Sequence, residues 1–405
     1  MNYKDIKISD YKYKLPDEKI AQYPLMVRDD SKLLVYKDSE IAESKFNAVD
    51  NFLPENSLMV FNNTKVIPAR IYFYKDTGAK IEIFCLEPVS VSKDYQLEFN
   101  KTENSVWKCF VGNASKWKQG KIHHIYKING SEINISAEII GKEEDEFIIR
   151  FEWDQKDLTF GELIENQGII PLPPYIRRDT EEADKKNYQT IYADVIGSVA
   201  APTAGLHFTE NVFQKLKEKN IEKNYLTLNV GAGTFKPVKS ETTGGHIMHN
   251  EMFSFDKKLL KNILLYKKNI ISVGTTSLRT LESIYWIGVK ILNKEINPLK
   301  IEQWYPYRNK SYSINDSINA VIKYFDKANL QTIYANTELM IVPGYDFKVT
   351  DILITNFHLP GSTLLTLVSA FIGDDWKKVY DYALKNNFRF LSYGDSSILF
   401  KKEKL

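Results

Sequence analysis

Between residues 71 and 153 the apolar residues fall at every second position, in a chain that elsewhere changes rhythm. The runs are AKIEIFCLEP (79–88), YQLEF (95–99), GKIHHIYKI (120–128), EINISAEII (132–140) and EFIIRFEW (146–153). A period of two puts one face of an extended strand in a core and the other in water. Asn129-Gly130, between two of these runs, suits a two-residue hairpin. Short strands divided by turns predict a small antiparallel β-barrel over 71–154.

The flanking sequence reads differently. A strand-like run ends before Asn62. Thr159 with Glu162 forms a capping box for a helix that stops near Gly168. Thr209 suits the N-cap of a helix through Leu216, and YLTLNV (225–230) a buried strand. A helix near 257–268 leads to a strand at 270–273, then to GTTS and a helix through Ile284. ELMIV (338–342) and DILITNF (351–357) read as strands, and helices follow from Thr363 and from Asp374. The fold class expected is α/β plus all-β: a sandwich-like α/β domain, discontinuous over 1–70 and 155–405, with the barrel inserted into it.

Of 405 residues, 43% are hydrophobic and 26% charged, enough for real cores. The net charge of +2 argues against a chain held on nucleic acid by bulk charge. The longest apolar stretch, near 364–373, is broken by Thr366 and Ser369 and is too short for a bilayer. No leader-like apolar segment opens the chain, so a cytoplasmic protein without a membrane partner is expected. Cys85 and Cys109 read as reduced core residues. Arginine is scarce among 54 basic residues. Arg28, Arg70, Arg279 and Arg389 all stand in unusual strings, where a planar fork matters more than charge.

Those strings carry the chemistry. GSVAAPTAGLHFT (197–209) has too little side-chain volume for a core and lets a ligand approach its backbone. Ser198, Thr203 and Gly205 are its candidate binding positions, and His207 its candidate catalyst. GTTSLR (274–279) stands where a strand turns into a helix, so free N–H groups with Thr275, Thr276, Ser277 and Arg279 suit an anion. NVGAGTF (229–235) offers Gly231 and Gly233, but a lone G-x-G is a weak nucleotide signal. His246, His249 and Glu251 lack a zinc-protease spacing, and no metal is expected. They suit substrate binding and proton transfer, as does His358 in ITNFHLPGSTLL (354–365), where Asn356, Ser362 and Thr363 are further binding candidates. Asn63 and Arg70 follow a strand end, where α/β folds place sites. Trp107, Lys116, Trp117 and Lys118 interleave aromatic and basic residues and suit RNA.

Together these strings resemble the S-adenosylmethionine:tRNA ribosyltransferase-isomerase family of queuosine biosynthesis. The likeness runs from LPDEKIAQYPLMVRDDSKLLV to FRFLSYGD and is most specific in YQTIYADVIGSVAAPTAGLHFT (188–209) and LITNFHLPGSTLLTLVSAFIG (353–373). It implies ribosyl transfer from S-adenosylmethionine to the aminomethyl group of a 7-deazaguanine at the tRNA wobble position. Epoxyqueuosine forms, and adenine and methionine leave. It implies S-adenosylmethionine as co-substrate, tRNA as partner, no permanently bound cofactor and a monomer. The sulfonium acidifies the C5′ hydrogens, adenine needs a donor to leave, and the amine must lose a proton. His207, His249 and His358, with Glu251, are the candidates for that traffic. Tyr345, Phe347, Tyr393 and Asp395 are candidates beside the sulfonium. Arg279 with the 275–277 hydroxyls is the candidate for the methionine carboxylate or a tRNA phosphate.

The sequence departs from the family pattern at Gly361, Lys65, Leu391 and the diluted basic stretch VGNASKWKQG. Those departures weaken particular phosphate contacts. Two other readings of the same residues are an S-adenosylmethionine-dependent RNA methyltransferase and a non-catalytic tRNA-binding protein. The first wants a glycine loop opening a helix, which 231–235 offers poorly.

Overall fold

The computed structural model describes residues 2–75, 77–89, 95–128, 130–231, 238 and 240–402. Among these, ten strands form one mixed sheet. Its centre is Leu58–Asn62, with Glu222–Leu228 and Ile270–Val273 as parallel neighbours, and Ile352–Asn356 parallel beyond the latter. Leu58–Asn62, Ile270–Val273 and Ile352–Asn356 are buried along their whole length because helices and loops cover both faces, as parallel strands require, whereas Glu222–Leu228 is buried mainly in its second half. Ser396–Phe400 then pairs antiparallel with Ile352–Asn356 and parallel with Lys32–Lys37.

This topology gathers the motifs. The four parallel strands end on one edge, so the loops opening at Asn63, Asn229, Gly274 and Phe357 emerge together. Asn356 stands opposite Ser396, and Leu33 also pairs with Ser396. The loops that enter those two strands, at 391–395 and 28–31, therefore meet the same edge. Ligands of open α/β sheets bind at that carboxyl edge.

The helices behave as their caps dictate. Thr159 and Glu162 exchange both bonds of a capping box, and the helix Phe160–Gln167 ends at Gly168. Thr209 caps Glu210–Glu218 and also donates to Asp29 at 2.7 Å, tying the 28–31 loop to the 197–209 loop. Thr275–Leu292 is longer than its sequence signal because its whole surface is covered by the main core. Its Glu282 carboxylate is buried and accepts from Tyr345 Oη, Lys348 N, Val349 N and Thr350 N at 2.9–3.1 Å. That cradle fixes the loop after residue 342 to the helix.

The second sheet is antiparallel and six-stranded, in the order Arg70–Tyr74, Lys80–Pro88, Asn104–Gly112, Glu146–Trp153, Ser131–Glu143, Lys121–Ile128. Tyr126 Oη donates to the Tyr72 carbonyl across its two outer strands, so the sheet nearly closes as a small barrel. It has its own core around Phe73, Ile83, Trp107 and Phe151. Lys127 faces Glu132 and Ile128 faces Ser131, the register of a two-residue turn, although Asn129 lies outside the described residues.

Three expectations are corrected. YQLEF (95–99) is a short helix, Tyr95–Phe99, because Tyr95 and Phe99 pack on Trp107 from one side. Residues 104–112, not read as extended, form a strand of the barrel. ELMIV (338–342) is not a strand. The strand there is Thr332–Thr337, and Leu339–Val342 cross the main core as buried irregular chain. No described helix is long and apolar enough to cross a membrane.

Candidate active site

At the shared edge lies a cavity of about 120 Å3. Thr203, Ala200–Pro202, Gly274–Thr276, Thr355–His358 and Ser392 contribute to its wall. The small residues of 199–201 are needed because three cores meet there. Val199 is buried in the barrel core, Ala200 in the main core and Ala201 in a third cluster with Leu206 and Tyr393. Larger side chains in sequence would have to overpack all three. Gly205 is equally confined, since a Cβ there would run into the Tyr192 hydroxyl.

Two smaller recesses adjoin the cavity. One shares Thr275, Thr276 and Leu364 with it and adds Arg279, Met248 and Thr363. The other shares Ser392 and adds Arg28, His207, Arg389 and Tyr393. A wider crevice of about 380 Å3, with Asn63, Tyr95, Thr227 and Asn229 in its wall, has no histidine among its described lining.

His207 is buried, with Nδ1 2.8 Å from Ser31 Oγ and Nε2 3.2 Å from Asn356 Oδ1. Asn356 Nδ2 donates to the carbonyls of Leu391 and Ser392, at 2.9 and 3.3 Å. That fixes its Oδ1 toward the ring, so Nε2 carries the hydrogen and Ser31 donates to Nδ1. Both nitrogens are consumed. Burial holds the imidazole down, to about 4, and hence neutral at physiological pH.

His358 is buried on the cavity wall, with Nε2 3.2 Å from Thr355 Oγ1 and Nδ1 3.2 Å from Tyr380 Oη. Tyr380 Oη already accepts from the His358 backbone N–H, so its own hydrogen is directed to Nδ1. The remaining ring hydrogen sits on Nε2, beside Thr355, which also lines the cavity. Burial lowers this imidazole too, to about 4.

The helix Thr275–Leu292 begins at the cavity, where Gly274 has φ of 88° and no side chain caps the end. Its first N–H groups and the Thr275 and Thr276 side chains face the wall. One turn on, Arg279 pairs with Glu251 inside the protein, and burial lowers the guanidinium, to about 10. Its Nε is buried without an acceptor, and the buried Ser277 Oγ likewise has no partner. His246 and His249 lie on the turn before Glu251–Asp256. His249 is exposed, and burial with the His249 charge depresses His246. Gln303 holds this turn through the His246 carbonyl and Met248 N.

Of the other sequence candidates, all described ones but Ser362 stand outside the cavity. Ser198 Oγ accepts from Thr64 Oγ1 and Val230 N and holds two loops together. Asn63 accepts from Thr227 and lines the wide crevice. Arg70 pairs with Glu82 in the barrel sheet. Arg28 donates to the carbonyls of Gln189 and Lys186. Tyr345 and Phe347 are core residues, and Tyr393 Oη donates to Asp184. Asp395 accepts from the backbone of Lys32 and Arg389. Ser362 caps the helix Thr363–Ile372 while lining the cavity. Gly231 is described, but Gly233 lies outside the described residues.

The barrel tryptophans are corrected as stacking surfaces. Trp107 and Trp117 are 0% and 1% exposed, with their indole N–H groups satisfied internally by Ser105 and Gly120. Only Lys116 and Lys118 of that set face solvent. Sequence reasoning missed Ser31, Thr355, Tyr380, Tyr188 and Ser392. Tyr188 opens the string 188–209, but a tyrosine there carries no motif that separates wall from core.

Comparison with known proteins gives full-length matches. The family described as queuosine biosynthesis protein matches residues 8–399. The S-adenosylmethionine:tRNA ribosyltransferase-isomerase of Sulfurihydrogenibium sp. is 38% identical over 401 residues, covering 97% of this chain and 100% of that one. That of Polynucleobacter asymbioticus is 38% identical over 410 residues, covering 99% of each. A crystal structure of S-adenosylmethionine tRNA ribosyltransferase from Thermotoga maritima is 28% identical, covers 96% of this chain and 99% of that chain, and superposes with a TM-score of 0.45.

Proposed function

The chain belongs to the queuosine biosynthesis protein family, and we propose that it uses the edge cavity to transfer and isomerise the ribosyl group of S-adenosylmethionine onto tRNA. The activity is that of an S-adenosylmethionine:tRNA ribosyltransferase-isomerase. The acceptor is the 7-aminomethyl-7-deazaguanine of the wobble position, the product is epoxyqueuosine-tRNA, and adenine and methionine are released. The observation that carries this reading is the full-length match to relatives of that activity. In this reading residues 71–154 are an inserted domain, and the protein works in the cytoplasm where its tRNA is.

The cavity is smaller than most small-molecule sites, which run to several hundred Å3. S-adenosylmethionine therefore extends from it into the recess of Arg279. There the N–H groups of Thr275–Ser277 and the free Nε of Arg279 receive the methionine carboxylate, with Glu251 orienting the guanidinium. His358 handles protons within the cavity, since its neutral ring stands on the wall between Thr355 and Tyr380. His207 positions Asn356 and the 391–392 carbonyls, because it lines the adjoining recess and not the cavity itself. His249, exposed beside Met248, exchanges protons nearer solvent. No metal enters this scheme, and none of the described residues form a group of three or more His, Cys, Asp or Glu able to hold one.

The test is to incubate the protein with S-adenosylmethionine and tRNA carrying the aminomethyl-deazaguanine, following adenine and the modified nucleoside together. Equal amounts of both support the reading; S-adenosylhomocysteine would replace it with methyl transfer. His358→Gln is expected to slow adenine release by roughly a hundredfold or more, the scale of a lost general acid or base. His207→Gln should act mainly through stability.

A further inference from the structure

One hydroxyl on the cavity wall has no partner in the protein. Tyr188 is 0% exposed, lines the cavity, and its Oη lacks a hydrogen bond. Ser392 Oγ and the Ala201 backbone lie close enough to influence the phenol, but neither meets it with hydrogen-bond geometry. Ser392 Oγ is bonded instead to Tyr175 Oη at 2.7 Å. A buried hydroxyl left unmet forfeits its hydration, and one on a cavity wall recovers a partner when a ligand fills the cavity.

The ring cannot swing to find another partner. Tyr188 closes the short helix Asp184–Asn187 through its N–H to the Asp184 carbonyl. Arg178 grips the buried Asp184 carboxylate with two bonds of 2.7 Å, and Tyr393 Oη adds a third at 3.0 Å. Tyr393 also packs edge-on against the Tyr188 ring. Burial raises the phenol well above its usual range, so it stays protonated and able to donate.

The cavity adjoins two recesses of different character. Thr275 and Thr276 are shared with the Arg279 recess, and Ser392 with the Arg28 recess. Ala200, Ala201, Pro202 and Phe357 add apolar contact to the cavity wall itself. We propose that Tyr188 is a substrate-binding residue whose hydroxyl hydrogen-bonds the adenine of S-adenosylmethionine, on the cavity wall outside the Arg279 recess. This rests on the reading above. An anionic carboxylate belongs at the helix terminus and Arg279, which leaves the flat neutral base for the slot.

Tyr192 supplies a matched control. Its hydroxyl is also buried without a partner, but it does not line the cavity. Adenine and S-adenosylmethionine binding would be measured by calorimetry on wild type, Tyr188→Phe and Tyr192→Phe, with the melting temperature of each ligand-free protein. Tyr188→Phe is expected to weaken both ligands roughly three- to tenfold, the worth of one hydrogen bond. Its ligand-free melting temperature should not fall, and Tyr192→Phe should bind as wild type. Unchanged binding by Tyr188→Phe, or an equal loss in Tyr192→Phe, overturns the contact alone. Wild type that binds neither ligand overturns both the contact and the reading beneath it.

Discussion

His207 and His358 are held neutral by burial, and neutrality has a consequence that can be read from outside. Each titrates near 4 in the fold and near about 6.5 when exposed in an unfolded chain. Between those values the unfolded state binds more protons, so stability falls as pH drops from about 6.5 toward 4 and is flat above 7. Each ring accounts for on the order of 3 kcal/mol by pH 4. The melting temperature should therefore decline steeply across that window, and His207→Gln should flatten the decline. Equal slopes in variant and wild type would contradict this account. Asn356 is the residue on which the neighbourhood turns. It joins His207 to two carbonyls, one of them at Leu391, whose backbone is held at φ 69°. Asn356→Ala strands those groups and should cost about 3 kcal/mol by denaturant unfolding, far more than a surface Asn→Ala such as Asn166→Ala.

Two glycines on one helical segment separate backbone conformation from space. Gly274, before Thr275–Leu292, has room for a Cβ, with nothing nearer than 3.5 Å, but sits at φ 88°. Gly288 has ordinary helical backbone, yet a Cβ there would stand 2.2 Å from the Ser317 carbonyl of the helix Ile314–Ala328. Gly288→Ala should cost about 2 kcal/mol by forcing the helices apart, with KM for S-adenosylmethionine unchanged. Gly274→Ala should cost about 2–3 kcal/mol, since φ 88° with ψ 152° is a backbone region open to glycine almost alone, and raise that KM, because it re-aims the helix N-terminus. Kinetics and melting on the pair check both, and equal KM effects would contradict the division. The same elements show what sequence makes legible. Caps at Thr159 and Thr209 are local chemistry and could be read directly. YQLEF alternates like a strand, but Tyr95 and Phe99 pack together on Trp107 of the strand that follows, and that turns it into helix. ELMIV is apolar enough for a strand, but its backbone N–H groups are met by Ile301, Gln303 and the Tyr307 hydroxyl instead of by a continuous strand ladder. Trp107 and Trp117 look like RNA contacts until the barrel closes over them. The loops of the cavity were legible as unusual strings, whereas Tyr188, Thr355 and Tyr380 were not, since only folding distinguishes a wall tyrosine from a core one.

At the scale of the whole molecule, one sheet edge collects loops from segments almost 370 residues apart, while the barrel keeps a separate core. A ligand that binds only the folded protein stabilises it by about 2.7 kcal/mol at a hundred times its Kd. Where that stabilisation is felt depends on which loops touch the ligand. With S-adenosylmethionine, amide hydrogen exchange should slow at 199–206, 274–279, 355–363 and 391–395, the segments that form the cavity wall. It should stay unchanged in Lys121–Ile128, an outer strand of the barrel. The segment 199–201 is the informative hinge of this experiment, since its three residues are buried in three different clusters. Slowing confined to the main-sheet loops places the donor at the edge cavity. Slowing at 225–229, 252–256 and 332–334 instead would put the ligand at the wide crevice beside Tyr95 and overturn the assignment of the site.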